Sequence, residues 1–231
     1  MLSAEEWDIL LLSMKVSGVA VLACLPLAFG LAWLLARVRF PGRILIDALV
    51  HLPLVLPPVV TGWLLLLAFG NTGPAGRWFE DVLGISFMFR WTGAALAAAV
   101  MALPLMVRAM RLSIEAVDRR LEAAAETLGA SRTHVFATIT LPLALPGLLA
   151  GMVLGFARSL GEFGATITFV SNIPGETRTL PIAIYSALQV PGSDNVVTRL
   201  ALISVALSLG ALLASEVLVR RSGQGRGRHV L

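Results

Sequence analysis

Charge is missing from five long stretches of the chain: Val16–Ala36, Leu52–Gly76, Trp91–Val107, Val135–Ala157 and Leu200–Ser215. A helix rises ~1.5 Å per residue, so about 20 mostly apolar residues cross the ~30 Å hydrocarbon core of a bilayer. The first, second and fourth stretches reach that length unaided. The third and fifth need flanking residues whose charged heads extend to the headgroup layer, a modest demand on long side chains. The pattern predicts an all-α polytopic membrane protein with about five transmembrane helices, at roughly 13–36, 48–70, 91–112, 138–160 and 198–219. These make one membrane domain, residues 1–219. The remainder, 220–231, is a Gly/Arg-rich basic tail with no apolar face to pack, and is expected to be disordered.

Basic residues between the apolar stretches set the orientation. Arg37, Arg39 and Arg43 follow the first; Arg108, Arg111, Arg119, Arg120 and Arg132 follow the third; Arg220, Arg221, Arg226 and Arg228 follow the fifth. Elsewhere bases and acids balance: Arg77 and Arg90 against Glu80 and Asp81, then Arg158, Arg178 and Arg199 against Glu162, Glu176 and Asp194. Cytoplasmic loops carry the basic excess. The expected topology is therefore N-terminus outside, central polar island inside and tail inside, which agrees with five crossings. The acidic start (Glu5, Glu6, Asp8) is unlike the basic start of a secretory signal, so the first helix is expected to stay in the mature protein.

The net charge of +4 would suggest nucleic acid in a soluble protein. Here the arginines cluster at the ends of apolar stretches, so no nucleic-acid partner is expected. Cys24, the single cysteine, rules out an intrachain disulfide and reads as a small apolar filler. His51 and His134 belong to no metal-ligand pattern. There is no GxxxxGK[ST] phosphate loop, and the only lysine is Lys15. The chain is expected to bind no cofactor and to hydrolyse no ATP itself.

Prolines mark the second and fourth spans. Pro53, Pro57 and Pro58 fall within a few residues of each other, and Pro142 and Pro146 open the fourth stretch. Each removes a backbone donor and kinks a helix, and kinked spans can shape a pathway at mid-membrane. Residues 163–193 are poor in charge but broken by Gly, Thr and Pro. Each half is too short to cross, so a re-entrant or outer-surface segment is expected, with its irregular backbone against protein or a watery cavity.

The most informative polar island is residues 122–142, EAAAETLGASRTHVFATITLP. Arg108 to Leu128 reads as a helix leaving the membrane, with acids at Glu122 and Glu126. Gly129 suits the left-handed residue that ends a helix, and Ser131 suits the N-cap of the next. Helix, tight turn and helix then project into the cytoplasm. The intervals among Ala124-Ala125, Gly129 and Ile139-Thr140-Leu141-Pro142 resemble the EAA signature of permease subunits of bacterial ABC importers. In this chain Ala123 takes the usual glutamate position and Glu122 lies one residue upstream. The resemblance implies a type I ABC importer permease fold with cytoplasmic coupling helices. It also implies that the loop 119–141 docks an ATP-hydrolysing subunit through Glu122, Ala124, Ala125, Gly129, Ala130 and Ser131.

A second resemblance concerns the cargo. HLPLVLPPVVTG (51–62) and FARSLGEFGATITFVSNIPGETRTLP (156–181) are similar to the permeases of molybdate importers, and the likeness runs from Trp7 to about Glu216. Sulfate permeases carry a stretch like SLGEFGAT, so NIPGETRT discriminates better. What this implies is a homodimer in the bacterial inner membrane, two cytoplasmic ATPase subunits using ATP and Mg, and a periplasmic molybdate-binding protein. Candidates to line the path are Arg158, Ser159, Glu162, Thr166, Pro57 and Pro58, with Arg158 and Glu162 alternatively a structural ion pair. A sulfate or tungstate importer would share the architecture. A channel or membrane assembly factor would need no ATPase.

Overall fold

The computed structural model describes residues 3–224, which are helical with no strand among them. Four helices are long and apolar enough to cross a membrane: Ala4–Arg37, Trp91–Glu115, Arg132–Leu160 and Asp194–Ala214. A fifth candidate is a bent pair. Eleven α-helices in all follow one another among the described residues.

Helix α1 (Ala4–Arg37) begins well before the first apolar run. Ser3 supplies a capping box: its hydroxyl accepts the Glu6 N–H at 3.2 Å, and Glu6 Oε2 accepts the Ser3 N–H at 2.7 Å. The other oxygen of Glu6 holds Arg199 through Nη2 at 2.8 Å and Nε at 3.0 Å. The start of the chain is thereby tied to its last helix.

The expected second span is not one kinked helix. It is α2 (Arg43–Val55) and α3 (Pro58–Phe69), bent by 115° at the break between them. Proline disfavours helical backbone in the residue before it. Leu56 accordingly sits extended at ψ 142° ahead of Pro57, and Pro57 at ψ 134° ahead of Pro58. A short amphipathic helix, α4 (Pro74–Leu83), packs Phe79 against Phe69 and Phe87 at the far end of this arm.

Helix α5 (Trp91–Glu115) is the central post, with Ala94, Ala97, Ala98, Ala102, Met106 and Met110 at most 1% exposed. Its alanines let α1 approach on one side and α8 on the other. In lipid, where apolar burial gives helices no preference for each other over acyl chains, such close fits are what associate them. The helix expected from Arg108 to Leu128 is in fact two. α5 stops at Glu115, and α6 (Arg119–Thr127) restarts with the Asp118 carboxylate accepting the Arg120 N–H at 2.9 Å. A side-chain cap of that kind offers the backbone an alternative to a continuous helix.

After α6 come α7 (Arg132–Val135), a π-helical turn (Phe136–Thr140) and α8 (Leu141–Leu160), continuous as one rod. The π turn lies just before Pro142, whose ring would strike the carbonyl four residues back in an unbroken α-helix. A wider turn relieves that clash. Residues 163–193 form α9 (Gly164–Val170) and α10 (Leu180–Leu188), both too short to cross. α11 (Asp194–Gln224) packs on α8 and α10. Its helical backbone runs past 219, where a disordered tail was expected. The rest of that tail, residues 225–231, lies outside the described residues.

Candidate functional site

Two groups of residues carry the expected chemistry, and they lie at different places in the bundle. The first is the helix–turn–helix after α5. α6 closes with a Schellman turn: the Gly129 N–H donates to the Glu126 carbonyl at 3.0 Å and the Ala130 N–H to the Ala125 carbonyl at 3.1 Å. Gly129 holds φ +90°, which side-chain-bearing residues rarely adopt. Ser131 caps α7 as expected, its hydroxyl accepting the His134 N–H at 3.3 Å.

None of the residues of α6 is buried. Leu128 is 89% exposed and Leu121 is 51% exposed, beside Arg119, Arg120 and Glu126. Ala124, Gly129 and Ser131 are exposed, and Ala125 and Ala130 half-buried. α6 thus presents a polar surface with two bare leucines. Glu122 differs from its neighbours. It turns inward, and its Oε1 accepts Arg37 Nη2 at 2.9 Å and the Thr140 hydroxyl at 2.6 Å. In the sequence Arg37 reads only as a loop arginine and Thr140 only as part of the Ile139–Pro142 motif, neither as a partner of Glu122. They are 85 and 18 residues away from Glu122, and no local pattern signals such a pairing.

The second group surrounds the α2–α3 break. Glu162 bridges two elements: its Oε2 meets Arg158 Nη1 at 2.8 Å, and its Oε1 accepts the Ala165 N–H at 2.9 Å, capping α9. Arg158 keeps 27% of its side chain exposed, whereas Glu162 keeps 2%. Ser159 is buried and donates to the Ala98 carbonyl at 3.5 Å, and Thr166 is buried. Pro57 and Pro58 are exposed, and Pro58 lies against Gly164, where a Cβ would come within 2.7 Å of its own. The structure thus places Pro58 against α9 and links Arg158 to α9 through Glu162, while Ser159 turns instead to Ala98 of α5. Arg158, Pro57 and Pro58 present open surface; Ser159, Glu162 and Thr166 face protein.

Beyond α9, the NIPGETRT stretch is a tight loop. Thr177 Oγ1 donates to the Ser171 carbonyl and accepts the Ile173 N–H, both at 2.8 Å. Arg178 reaches Asn172 at 3.0 Å and Glu5 at 3.2 Å. At the opposite end, Arg111 pairs with Asp47 at 3.0 Å and Glu115 at 2.9 Å, tying α2 to α5. No group of three metal-ligating side chains occurs among the described residues.

Comparison with known proteins agrees with this architecture. The chain is 59% identical over 227 residues to the molybdenum transport system permease protein ModB of Escherichia coli (strain K12), covering 98% of this chain and 99% of that one. It is 58% identical over 217 residues to ModB of Haemophilus influenzae, covering 94% and 95%. The sulfate transport system permease protein CysT of Escherichia coli (strain K12) is 40% identical over 200 residues, covering 86% and 71%. Among solved structures, a bacterial ABC transporter that imports alginate superposes with a TM-score of 0.74 at 19% identity, over 95% of this chain and 80% of that one. The MetNI methionine ABC transporter, in an inward-facing form, gives 0.72 at 16%, over 96% and 99%. Such identities establish the fold: a type I ABC importer permease. Residues 26–224 match the family of binding-protein-dependent transport system inner membrane components, and the chain, a multi-pass inner-membrane permease subunit, belongs to that family.

Proposed function

We propose that this chain is the membrane-spanning subunit of an ATP-driven molybdate importer. The observation that carries the reading is the 59% identity across nearly the whole of both chains to a molybdenum permease, against 40% to a sulfate permease. Two copies form the membrane unit, two cytoplasmic ATPase subunits bind ATP and Mg, and a periplasmic molybdate-binding protein delivers the anion. The N-terminus faces the periplasm and the C-terminus the cytoplasm, as the arginine distribution supports. Residues 1–219 make the membrane domain, with the basic tail from 220.

The surface around Leu121, Ala124, Ala125, Leu128, Gly129, Ala130 and Ser131 docks the ATPase. ATP binding closes the ATPase pair, 119–141 transmit the movement to the spans, and the path opens to the binding protein. Hydrolysis resets it. Such coupling requires the two conformations to differ in affinity for the ATP-closed partner. Molybdate is a tetrahedral dianion, and Arg158 is the cation of the candidate path with open surface. Its charge is largely matched by Glu162, which suits passage rather than retention. Buried charges at membrane depth are costly and face a cavity or a partner; Glu162 has its partner in Arg158.

Radiolabelled molybdate uptake by the reconstituted complex, competed with sulfate, tests the proposal. Molybdate uptake resistant to excess sulfate is expected; preferential sulfate uptake overturns the cargo assignment. Purification that brings down no ATPase subunit overturns the importer assignment.

A further inference from the structure

A coupling helix with no buried residue needs something to hold its angle against the spans. Among the described residues, Glu122 makes the short polar contacts from α6 to the membrane-spanning helices, and Glu126 adds only an exposed pair with Arg132 at 3.9 Å. Its partner Arg37 is the last residue of α1 and is only 10% exposed. One turn earlier, Trp33 lies edge-on to Phe136 at 5.0 Å, and the Arg37 guanidinium sits 5.8 Å from the Trp33 ring. Arg37 and Trp33 thus grip α6 and the π turn together from the end of the first span.

Two features mark this grip as movable. The Nε of Arg37 is buried without a hydrogen-bond partner. A buried donor left unpaired is unfavourable, and the planar guanidinium fork is suited to bidentate contact with a carboxylate. A small rotation of α6 brings a Glu122 oxygen onto Nε and turns one contact into two. The second feature is the π turn itself, which ends at Thr140, the other partner of Glu122. A widened turn can return to α-helical spacing, shifting Thr140 relative to Glu122. A recess of about 490 Å³ bordered by Trp33, Arg37, Glu122, Phe136 and Thr140 leaves room for both changes.

We propose that Arg37 is the positioning residue through which the coupling helix moves the first span, with Glu122 switching between single and forked contact as the ATPase subunits close. The proposal rests on the reading of 119–141 as the ATPase dock. It concerns neither the docking surface nor the path, but the joint between them.

The test uses the full complex of permease, ATPase and binding protein in proteoliposomes, with molybdate uptake and ATP hydrolysis followed in the same vesicles. Arg37→Gln is expected to leave the ATPase bound and hydrolysing, while uptake per ATP falls about fivefold or more. Arg37→Lys, which keeps the charge but not the fork, recovers part of the ratio. The exchange Arg37→Glu with Glu122→Arg raises the ratio above either single variant, which a residue needed only for folding would not do. An unchanged ratio in Arg37→Gln overturns the proposal. Should that variant fail to assemble, Thr140→Val decides: a reduced ratio supports the joint and an unaltered one overturns it. Failure of the unsubstituted chain to retain the ATPase would instead defeat the docking assignment.

Discussion

Arg158 and Glu162 stand one helical turn apart with Nη1 and Oε2 at 2.8 Å, yet only the arginine reaches the surface. The glutamate is spent inward, on this pair and on the first turn of α9. Glu162→Gln keeps an oxygen for the Ala165 N–H but strands the arginine. We expect a loss of about 1–3 kcal/mol in unfolding free energy. That is less than the ~3–5 kcal/mol for breaking a fully buried pair, because Arg158 is partly hydrated. Thermal unfolding in detergent reads it, and an unshifted midpoint would show that the pair holds nothing.

Gly62 sets the distance between α3 and α9. A Cβ there would lie 2.6 Å from the Ala165 carbonyl oxygen and 2.8 Å from Thr168 Cβ, closer than real contacts allow. Gly62→Ala should push the helices apart, with a loss of about 1–3 kcal/mol. Gly30→Ala is the control: nothing lies within 4 Å of its Cβ. In a helix interior that exchange should be neutral or gain up to ~1 kcal/mol. Equal midpoints for the two variants would refute the close-approach argument.

Gly129 is a different case, since its Cβ would meet open space and only its φ of +90° resists substitution. Gly129→Ala should strain the turn by about 1–2 kcal/mol. If that strain falls wholly on the docked form, it corresponds to roughly 5–30-fold weaker ATPase association. Gly129→Pro cannot adopt a positive φ and should abolish association. Titration of the ATPase against the solubilised permease distinguishes these outcomes. Equal affinity for all three chains would show that the turn geometry is irrelevant to docking.

Asn172 braces the 171–179 loop, accepting from Arg178 Nε within it at 3.0 Å and donating to Ser186 Oγ of α10 at 2.8 Å. Asn172→Ala should loosen 171–179 without disturbing the spans. Hydrogen exchange should quicken at the Ile173 N–H, which is held by Thr177 Oγ1 at 2.8 Å, and stay unchanged in α5. No difference at Ile173 would mean that Thr177 holds the loop alone.

The spans were legible because a bilayer imposes a single length scale on apolar runs. The turn at Gly129 and the cap at Ser131 were legible because their physics is local. What the sequence hid was nonlocal. The inward turn of Glu122 depends on Arg37, a residue that reads as an ordinary positive-inside arginine until α1 and α6 are docked. Likewise the prolines at 57 and 58 announced a kink but not its size. The 115° bend requires α3 to find its partner in α9, through a glycine whose importance shows only in the contact. The break at Asp118 competes with strong helix formers on both sides, and a cap won where propensity favoured continuity.

The bond between Glu6 and Arg199 has a mechanical consequence. It pins the N-terminal end of α1 to α11, while Arg37 ties the C-terminal end to α6. The two anchor points lie ~46 Å apart along the helix axis. With the Glu6 end fixed as a fulcrum, α1 is a lever whose short stroke at Arg37 is a small angle at the other end. A tilt of about 5° carries Arg37 by ~4 Å, within reach of one helical turn.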